Sequence, residues 1–333
     1  MRTRILLAAL GLVVAASAPA PAPAAVAGTR AAGCRSTAFD VDLGPAGPAR
    51  VTGVRCGPPG GTVQVLVPGL TYDSRYWLRR PAPDLPSYAA AMAAAGIATV
   101  ALDRPGTGGG TRPDAAAVGL DASVAAVHRV VAVLRAEGRR TVVLAGHSFG
   151  SGVALAEAAR YGDVDGVIAT AFLHGAGPSG FGFLSSLHPA SEDPVLAPEN
   201  PPAGYETTKP GTRDALFYTA DDSDAATRAA DEATKSTVTS GERADASKVV
   251  SDIGLTRSVR VPVLLADGQD DALLCGIPGC FSADYVRAFE SLFYDARTGP
   301  TVFLLPGAGH ALGLHRNAPL FFRTAVRWTE GIG

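Results

Sequence analysis

Short apolar runs alternate with amphipathic stretches along most of this chain. The runs at 62–67, 97–102, 141–145, 164–173, 259–266 and 301–305 are rich in Val, Ile, Leu and Ala, and they read as buried strands. Between them, apolar residues recur at helical spacing. Leu85, Tyr88, Ala89 and Met92 follow an Asp84 cap and stop at Gly96. Leu120, Val124, Val127, Val131 and Leu134 form a longer stripe closed by Gly138. Further helices are predicted at 151–160, 283–292 and 318–329, the last with Phe321, Phe322, Ala325 and Trp328 on one side. Strand–helix alternation of this kind predicts an α/β fold: a mostly parallel central sheet with helices on both faces. Ahead of it, strands at 36–43 and 50–55 flank the turn Gly44-Pro-Ala-Gly-Pro48 and predict an N-terminal hairpin.

The rhythm breaks between 174 and 256. This segment is rich in Gly, Pro, Ser, Thr and Asp, holds all three lysines (Lys209, Lys235 and Lys248), and carries only polar helices, around 213–219 and 224–234. It leaves the sheet at the edge reached by the strand before it. A long excursion of this kind inside a compact domain is expected to be a cap over that edge, the alternative being a solvated surface excursion.

The first residues change the picture of the mature chain. Arg2 and Arg4 precede an apolar stretch, Ile5 to Ala16, that is too short to span a membrane, and Ala25-Val-Ala27 is a small-x-small cleavage site. Residues 1–27 are therefore expected to be a signal peptide, with the mature chain starting at Gly28 and secreted. No other long apolar run occurs, so no stable membrane insertion is expected. The chain has 29 Lys and Arg against 31 Asp and Glu; removing Arg2 and Arg4 leaves 27 basic residues and a mildly acidic protein, which argues against nucleic-acid binding. Four cysteines suit export. Cys34 and Cys56 stand at the two ends of the hairpin, which would bring them together, and Cys275 and Cys280 enclose the short turn Gly-Ile-Pro-Gly. Two disulfides are expected. A lipid anchor at Ala31-Ala-Gly-Cys34 would leave Cys56 unpaired.

The candidate chemistry sits in Gly146-His147-Ser148-Phe149-Gly150, between the run at 141–145 and the helix at 151–160. Gly-x-Ser-x-Gly in a strand–turn–helix context makes a sharp turn that lifts the Ser148 hydroxyl off the sheet edge. A serine hydroxyl needs a base, and the base needs an orienting acid. Asp267-Gly-Gln-Asp-Asp271 follows the run at 259–266, and Pro306-Gly-Ala-Gly-His310 follows the run at 301–305. Both are turns at the carboxyl ends of strands, the edge where open parallel sheets bind ligands. Three histidines, His174, His188 and His315, have no metal-ligand spacing, His128 reads as a helix surface residue, and His147 is expected to point away from the chemistry; no metal and no cofactor is expected. The glycine-rich loop 103–113 lacks a Lys-Ser/Thr ending and reads as a plain turn.

The residues Val67-Pro68-Gly69-Leu70, the Ser148 elbow, Pro262-Val-Leu-Leu-Ala-Asp-Gly-Gln-Asp-Asp271 and Gly309-His310 together resemble the α/β-hydrolase-fold serine hydrolases, secreted actinobacterial esterases and lipases among them, over about 60–173 and 257–330. The resemblance implies one hydrolase domain over 28–333 with a cap or lid at 174–256. It also implies a catalytic triad of Ser148, Asp271 and His310, with Asp270 and Asp267 as fallbacks for the acid. Backbone N–H groups of Leu70 and Phe149 would form the oxyanion hole. Tyr72, Trp77 and Phe172 could line an acyl pocket or pack in the core. The implied activity is hydrolysis of a small-molecule carboxylic ester through an acyl-enzyme. Lipase, lactonase, thioesterase, peptidase and acyltransferase activities stay open on the same chemistry, and a non-catalytic binding protein on this fold is the alternative from another class.

Overall fold

Alternating side chains of the central strands feed two separate cores, one on each face of a single sheet. The computed structural model describes residues 33–175, 177–276 and 279–332, so the expected leader 1–27 and the start at Gly28 lie outside the described residues. Strands β1 (Arg35–Asp42) and β2 (Pro48–Cys56) form the expected antiparallel hairpin. Then follow β3 (Thr62–Val67), α1 (Arg75–Leu78), α2 (Tyr88–Ala94), β4 (Ala98–Leu102), α3 (Leu120–Ala136), β5 (Thr141–His147), α4 (Phe149–Tyr161) and β6 (Gly166–Thr170).

An insertion comes next. It contains α5 (Gly180–Ser185), a small antiparallel sheet of β7 (Leu187–Pro189), β8 (Tyr205–Thr208) and β9 (Val238–Thr239), and the helices α6 (Arg213–Phe217), α7 (Ala225–Ala233), α8 (Ser240–Ser251) and α9 (Ile253–Ser258). The main fold resumes with β10 (Val263–Gly268), α10 (Ala283–Glu290), β11 (Thr301–Leu305) and α11 (Pro319–Glu330). The main sheet runs β1-β2-β4-β3-β5-β6-β10-β11, with β2 antiparallel to its neighbours and β4 onward parallel.

Strand pleating explains the two cores. Val142 and Leu144 of β5 point to the face covered by α3 and α4, with Val124, Val131, Val153 and Leu155. Val143 and Ala145 point to the other, where α2 and α11 supply Met92, Phe321 and Phe322. The expected disulfides Cys34–Cys56 and Cys275–Cys280 are both present. Among the described residues no helix is long and apolar enough to cross a membrane.

Three elements shift most from expectation. Helix α2 starts at Tyr88, capped by the Ser87 hydroxyl accepting from the Ala90 N–H, not at Asp84. Pro86 disfavours a helical conformation at Leu85, so the helix cannot begin earlier. Strand β6 ends at Thr170 because Ala171 adopts a positive φ of 50°. Strand β10 begins only after Pro262 and runs to Gly268. The insertion is also more regular than its composition suggests. Lys235 is fully buried and pairs with Asp193 (2.8 Å) and Glu232 (2.7 Å).

Candidate active site

Strand β5 delivers Ser148 in a strained conformation, with φ 53° and ψ −123°. Both flanking glycines are dictated by contact. A Cβ on Gly146 would collide with the Ser151 backbone, and one on Gly150 with the carbonyl oxygens of Val67 and Pro68. The turn is pinned to the end of β6: Ser148 N–H donates to Thr170 O (2.8 Å), as does the Ser151 hydroxyl (2.8 Å). Of the four non-glycine residues with positive φ among the described residues, three are at this edge: Thr71, Ser148 and Ala171. Strain of this kind persists only where surrounding contacts over-determine it, and it clusters at active sites and ligand clamps.

The turn after β10 carries Asp271, fully buried. Its Oδ2 accepts from His310 Nδ1 at 2.7 Å, and its Oδ1 accepts from the N–H groups of Leu273 (2.7 Å) and Leu274 (3.3 Å). Burial pushes this carboxyl up, but the His310 ring and these hydrogen bonds more than offset it, so Asp271 lies below the usual carboxylate range. Asp267 behaves oppositely: burial, and then the charge of Asp271, push it well above the usual range. Asp270 is exposed. His310 is thus oriented by one of the three aspartates of this turn.

The His310 loop is braced by His315. Its Nδ1–H donates to Ala311 O (3.1 Å), and its Nε2 accepts from the Gly309 N–H (3.0 Å) and the Thr219 N–H (3.2 Å). Burial keeps His315 below the usual histidine range, which preserves the neutral tautomer those bonds need.

Ser148 and His310 line one cavity of about 440 Å³, without a hydrogen bond between them in this structure. Catalytic hydrogen bonds are often loose before substrate binds. The cavity is mostly apolar. Leu70, Phe149 and Phe172 come from the main fold, and Phe183, Val249 and Val250 from α5 and α8 of the insertion. Leu70 and Phe149 are buried, yet among the described residues neither backbone N–H has a protein acceptor. Phe149 opens α4, whose leading N–H groups a helix leaves unpaired, so of the two the Leu70 N–H is the one that calls for another explanation.

Not all expected site residues assemble here. Phe172 lines the cavity. Tyr72 lines an adjoining recess of about 20 Å³ with Ser148 and His310. Trp77 does not reach either: it is 1% exposed and packs against Tyr76 and Tyr88, because α1 turns it into the core between the sheet and α2. His147 does not turn away from the site. It stacks on Tyr76 (4.2 Å between ring centroids), and its ring lies 5.2 Å from that of His310. Burial holds it well below the usual histidine range, so it adds no charge beside the His310 ring.

Sequence reasoning missed the contributions of α5 and α8. Thr239-Ser-Gly-Glu242 is a capping box, and that spacing was the available signal for α8. It also missed Arg104 in the loop after β4. This side chain is buried, donates to Pro68 O (3.0 Å) and Gly69 O (2.9 Å), and forms an ion pair with Glu242. A second buried pair, Arg213 with Asp231 (3.0 Å), lies behind the site, with the guanidinium 4.3 Å from the Tyr72 ring centre.

Away from the cavity, His128, Glu157 and Asp163 bring one nitrogen and two carboxylate oxygens within 4.8 Å of one another, the donor set a divalent ion would use. Glu157 is pushed up to about 9, by burial first and then by Asp163, so at neutral pH a proton already relieves the carboxylate repulsion there.

A model of the alpha/beta hydrolase family matches residues 64–323. Among solved structures, the chain is similar to a monoacylglycerol lipase from Paleococcus ferrophilus (18% identity, TM-score 0.62, covering 85% of this chain and 99% of that one). It is similar to an esterase from Rhodococcus sp. ECU1013 (20%, 0.58, 90% and 99%) and to a thermophilic esterase from Thermogutta terrifontis (15%, 0.59, 89% and 99%). At these identities the likeness is one of fold. No curated protein matches the chain. The match to the family model over most of its length, together with the sheet order and the serine elbow, makes this chain a member of the alpha/beta hydrolase family.

Proposed function

We propose that this protein is a secreted serine hydrolase that cleaves carboxylic esters through Ser148, His310 and Asp271. One observation carries the reading: an Asp271-oriented imidazole shares an apolar cavity with a strained serine and two unpaired N–H groups. His310 Nε2 takes the Ser148 proton as the hydroxyl oxygen attacks the ester carbonyl carbon. Asp271 stabilises the imidazolium that results. The carbonyl oxygen becomes an oxyanion and accepts from Leu70 N–H and Phe149 N–H, donors already oriented before reaction. His310 then protonates the leaving alcohol. Water, deprotonated by His310, releases the acid and restores Ser148.

The apolar wall favours an apolar acyl group. At about 440 Å³ the cavity lies at the small end of the ligand-site range of ~300–1,000 Å³, suited to one short or medium acyl chain or an aromatic acid. Residues 174–256 act as a cap, since α5 and α8 form part of the cavity wall. The esterase and lipase names of the structural neighbours agree with this reading. The test is turnover of p-nitrophenyl esters of graded chain length by wild type and His310→Ala. Short and medium esters should be hydrolysed, with activity lost in the variant at unchanged fold. Retained hydrolysis in His310→Ala would remove His310 from the role of base.

A further inference from the structure

We infer that Arg104 is a positioning residue for the oxyanion donors: it holds the Gly69–Leu70 peptide with the Leu70 N–H open to the cavity, and Glu242 ties that arrangement to α8. The inference rests on the serine-hydrolase reading and adds residues that the triad chemistry does not use.

Arg104 is 2% exposed, and each of its guanidinium nitrogens has a partner. Nε donates to Pro68 O, Nη2 donates to Gly69 O, and Nη1 pairs with Glu242. The Gly69 carbonyl also accepts from the Tyr72 N–H at 3.2 Å. In a trans peptide the C=O and the following N–H point in opposite directions. Fixing Gly69 O towards Arg104 therefore sends the Leu70 N–H away from it. That N–H has no acceptor among the described residues, although Leu70 is buried and lines the Ser148 cavity. The peptide is also close to the nucleophile: a Cβ on Gly69 would lie 3.0 Å from Ser148 Cβ. The guanidinium sits 5.8 Å from the ring of Phe149, whose N–H is the other donor.

Glu242 is fixed as well. Its Oε2 accepts from the Thr239 N–H (3.1 Å), and its own N–H donates to the Thr239 hydroxyl (3.1 Å), closing the capping box at the start of α8. The same helix presents Val249 and Val250 to the cavity. One helix thus forms part of the acyl wall and holds the charge that anchors the donor peptide. A fully buried ion pair is costly to desolvate and is weak evidence for stability alone. Charge-assisted bonds to two successive carbonyls, by contrast, are strong and directional enough to select a peptide orientation.

The test compares wild type, Arg104→Met, Arg104→Lys and Glu242→Gln as full chains. It uses steady-state hydrolysis of p-nitrophenyl butyrate, fluorophosphonate labelling of Ser148, and a crystal structure of Arg104→Met. Loss of an interaction made only in the transition state lowers kcat and kcat/KM together. Arg104→Met is expected to lower kcat about 100-fold with KM within about twofold, the scale of one lost oxyanion donor. Arg104→Lys should recover part of the loss, and its crystal partner Arg104→Met should show the Gly69–Leu70 peptide turned. Wild-type kcat in folded Arg104→Met, or an unturned peptide in its crystal structure, overturns the inference. Should Arg104→Met fail to fold, wild-type kcat in both Arg104→Lys and Glu242→Gln overturns it instead. Wild type that neither hydrolyses esters nor labels at Ser148 refutes the hydrolase reading, and the peptide orientation still decides the role of Arg104.

Discussion

Replacing Asp271 by asparagine removes the negative charge that faces the His310 ring while keeping the side chain's volume. In the proposed reaction that ring becomes an imidazolium as Ser148 attacks. Nδ1 and Oδ2 are 2.7 Å apart, and neither side chain is exposed by more than 5%. With charge centres roughly 3–4 Å apart and an effective dielectric constant near ~20, the lost attraction is about 4–6 kcal/mol. Spent entirely on the transition state, that is about 10³- to 10⁴-fold in kcat/KM. An asparagine can also turn its NH₂ towards Nδ1 and favour the wrong tautomer, which acts in the same direction. The fold should survive, because the side-chain oxygen can still accept from the Leu273 N–H. The assay is p-nitrophenyl butyrate hydrolysis by Asp271→Asn beside Asp270→Asn and Asp267→Asn, with unfolding curves for each. Asp270 is exposed and should be silent within about twofold, as expected of surface substitutions. Asp267 accepts from the Gly268 N–H, while the His310 Nδ1 bond goes to Asp271, so Asp267→Asn should cost far less than Asp271→Asn. If Asp271→Asn keeps more than a tenth of wild-type turnover, or if Asp270→Asn loses as much, the electrostatic reasoning is wrong.

Three further outcomes bear on the scaffold. Asp231→Asn leaves the Arg213 guanidinium buried without its carboxylate and should cost about 3–5 kcal/mol, read as a lower urea midpoint; an unchanged midpoint would contradict the pairing. Glu157 has its folded pKa raised to about 9 from 4.5, so between those values the folded state holds a proton that the unfolded state has released, and stability falls as pH rises. Glu157→Gln should therefore gain stability over wild type progressively from pH 5 to pH 9, and a gap independent of pH would refute the shift. The disulfides close segments of 22 and 5 residues, so removing Cys34–Cys56 by paired serine substitution should cost about 3 kcal/mol and removing Cys275–Cys280 about 2 kcal/mol, with the reverse order in thermal unfolding contradicting the chain-entropy argument.

The parts of the molecule legible in the sequence are those where one local signal decides the outcome. The stripe Leu120, Val124, Val127, Val131 and Leu134 became α3 because it packs on the sheet, and the run at 301–305 became β11, the edge strand paired with β10. Ser148, Asp271 and His310 each follow a strand at the same sheet edge, which is what the sequence showed; the contact between His310 and Asp271 also needs the Leu273 N–H on Asp271 and the His315 brace on the His310 loop, which it did not. Trp77 was harder: proximity in sequence to Leu70 says nothing of which way a short helix turns its aromatic face. The insertion resisted reading because α8 carries only one fully buried apolar residue, Val249, and buries a glutamate instead. Arg104 was invisible for a related reason. Its partners are backbone carbonyls 35 and 36 residues earlier and a carboxylate 138 residues later, and no local pattern encodes such a meeting.

Whether Ser148 is an activated nucleophile is decided by treating the purified protein with a fluorophosphonate probe and mapping the labelled peptide. A single stoichiometric adduct on Ser148 is expected in wild type, absent from Ser148→Ala and strongly slowed in His310→Ala. A folded wild-type protein that stays unlabelled, or an adduct on another serine that survives Ser148→Ala, would contradict it.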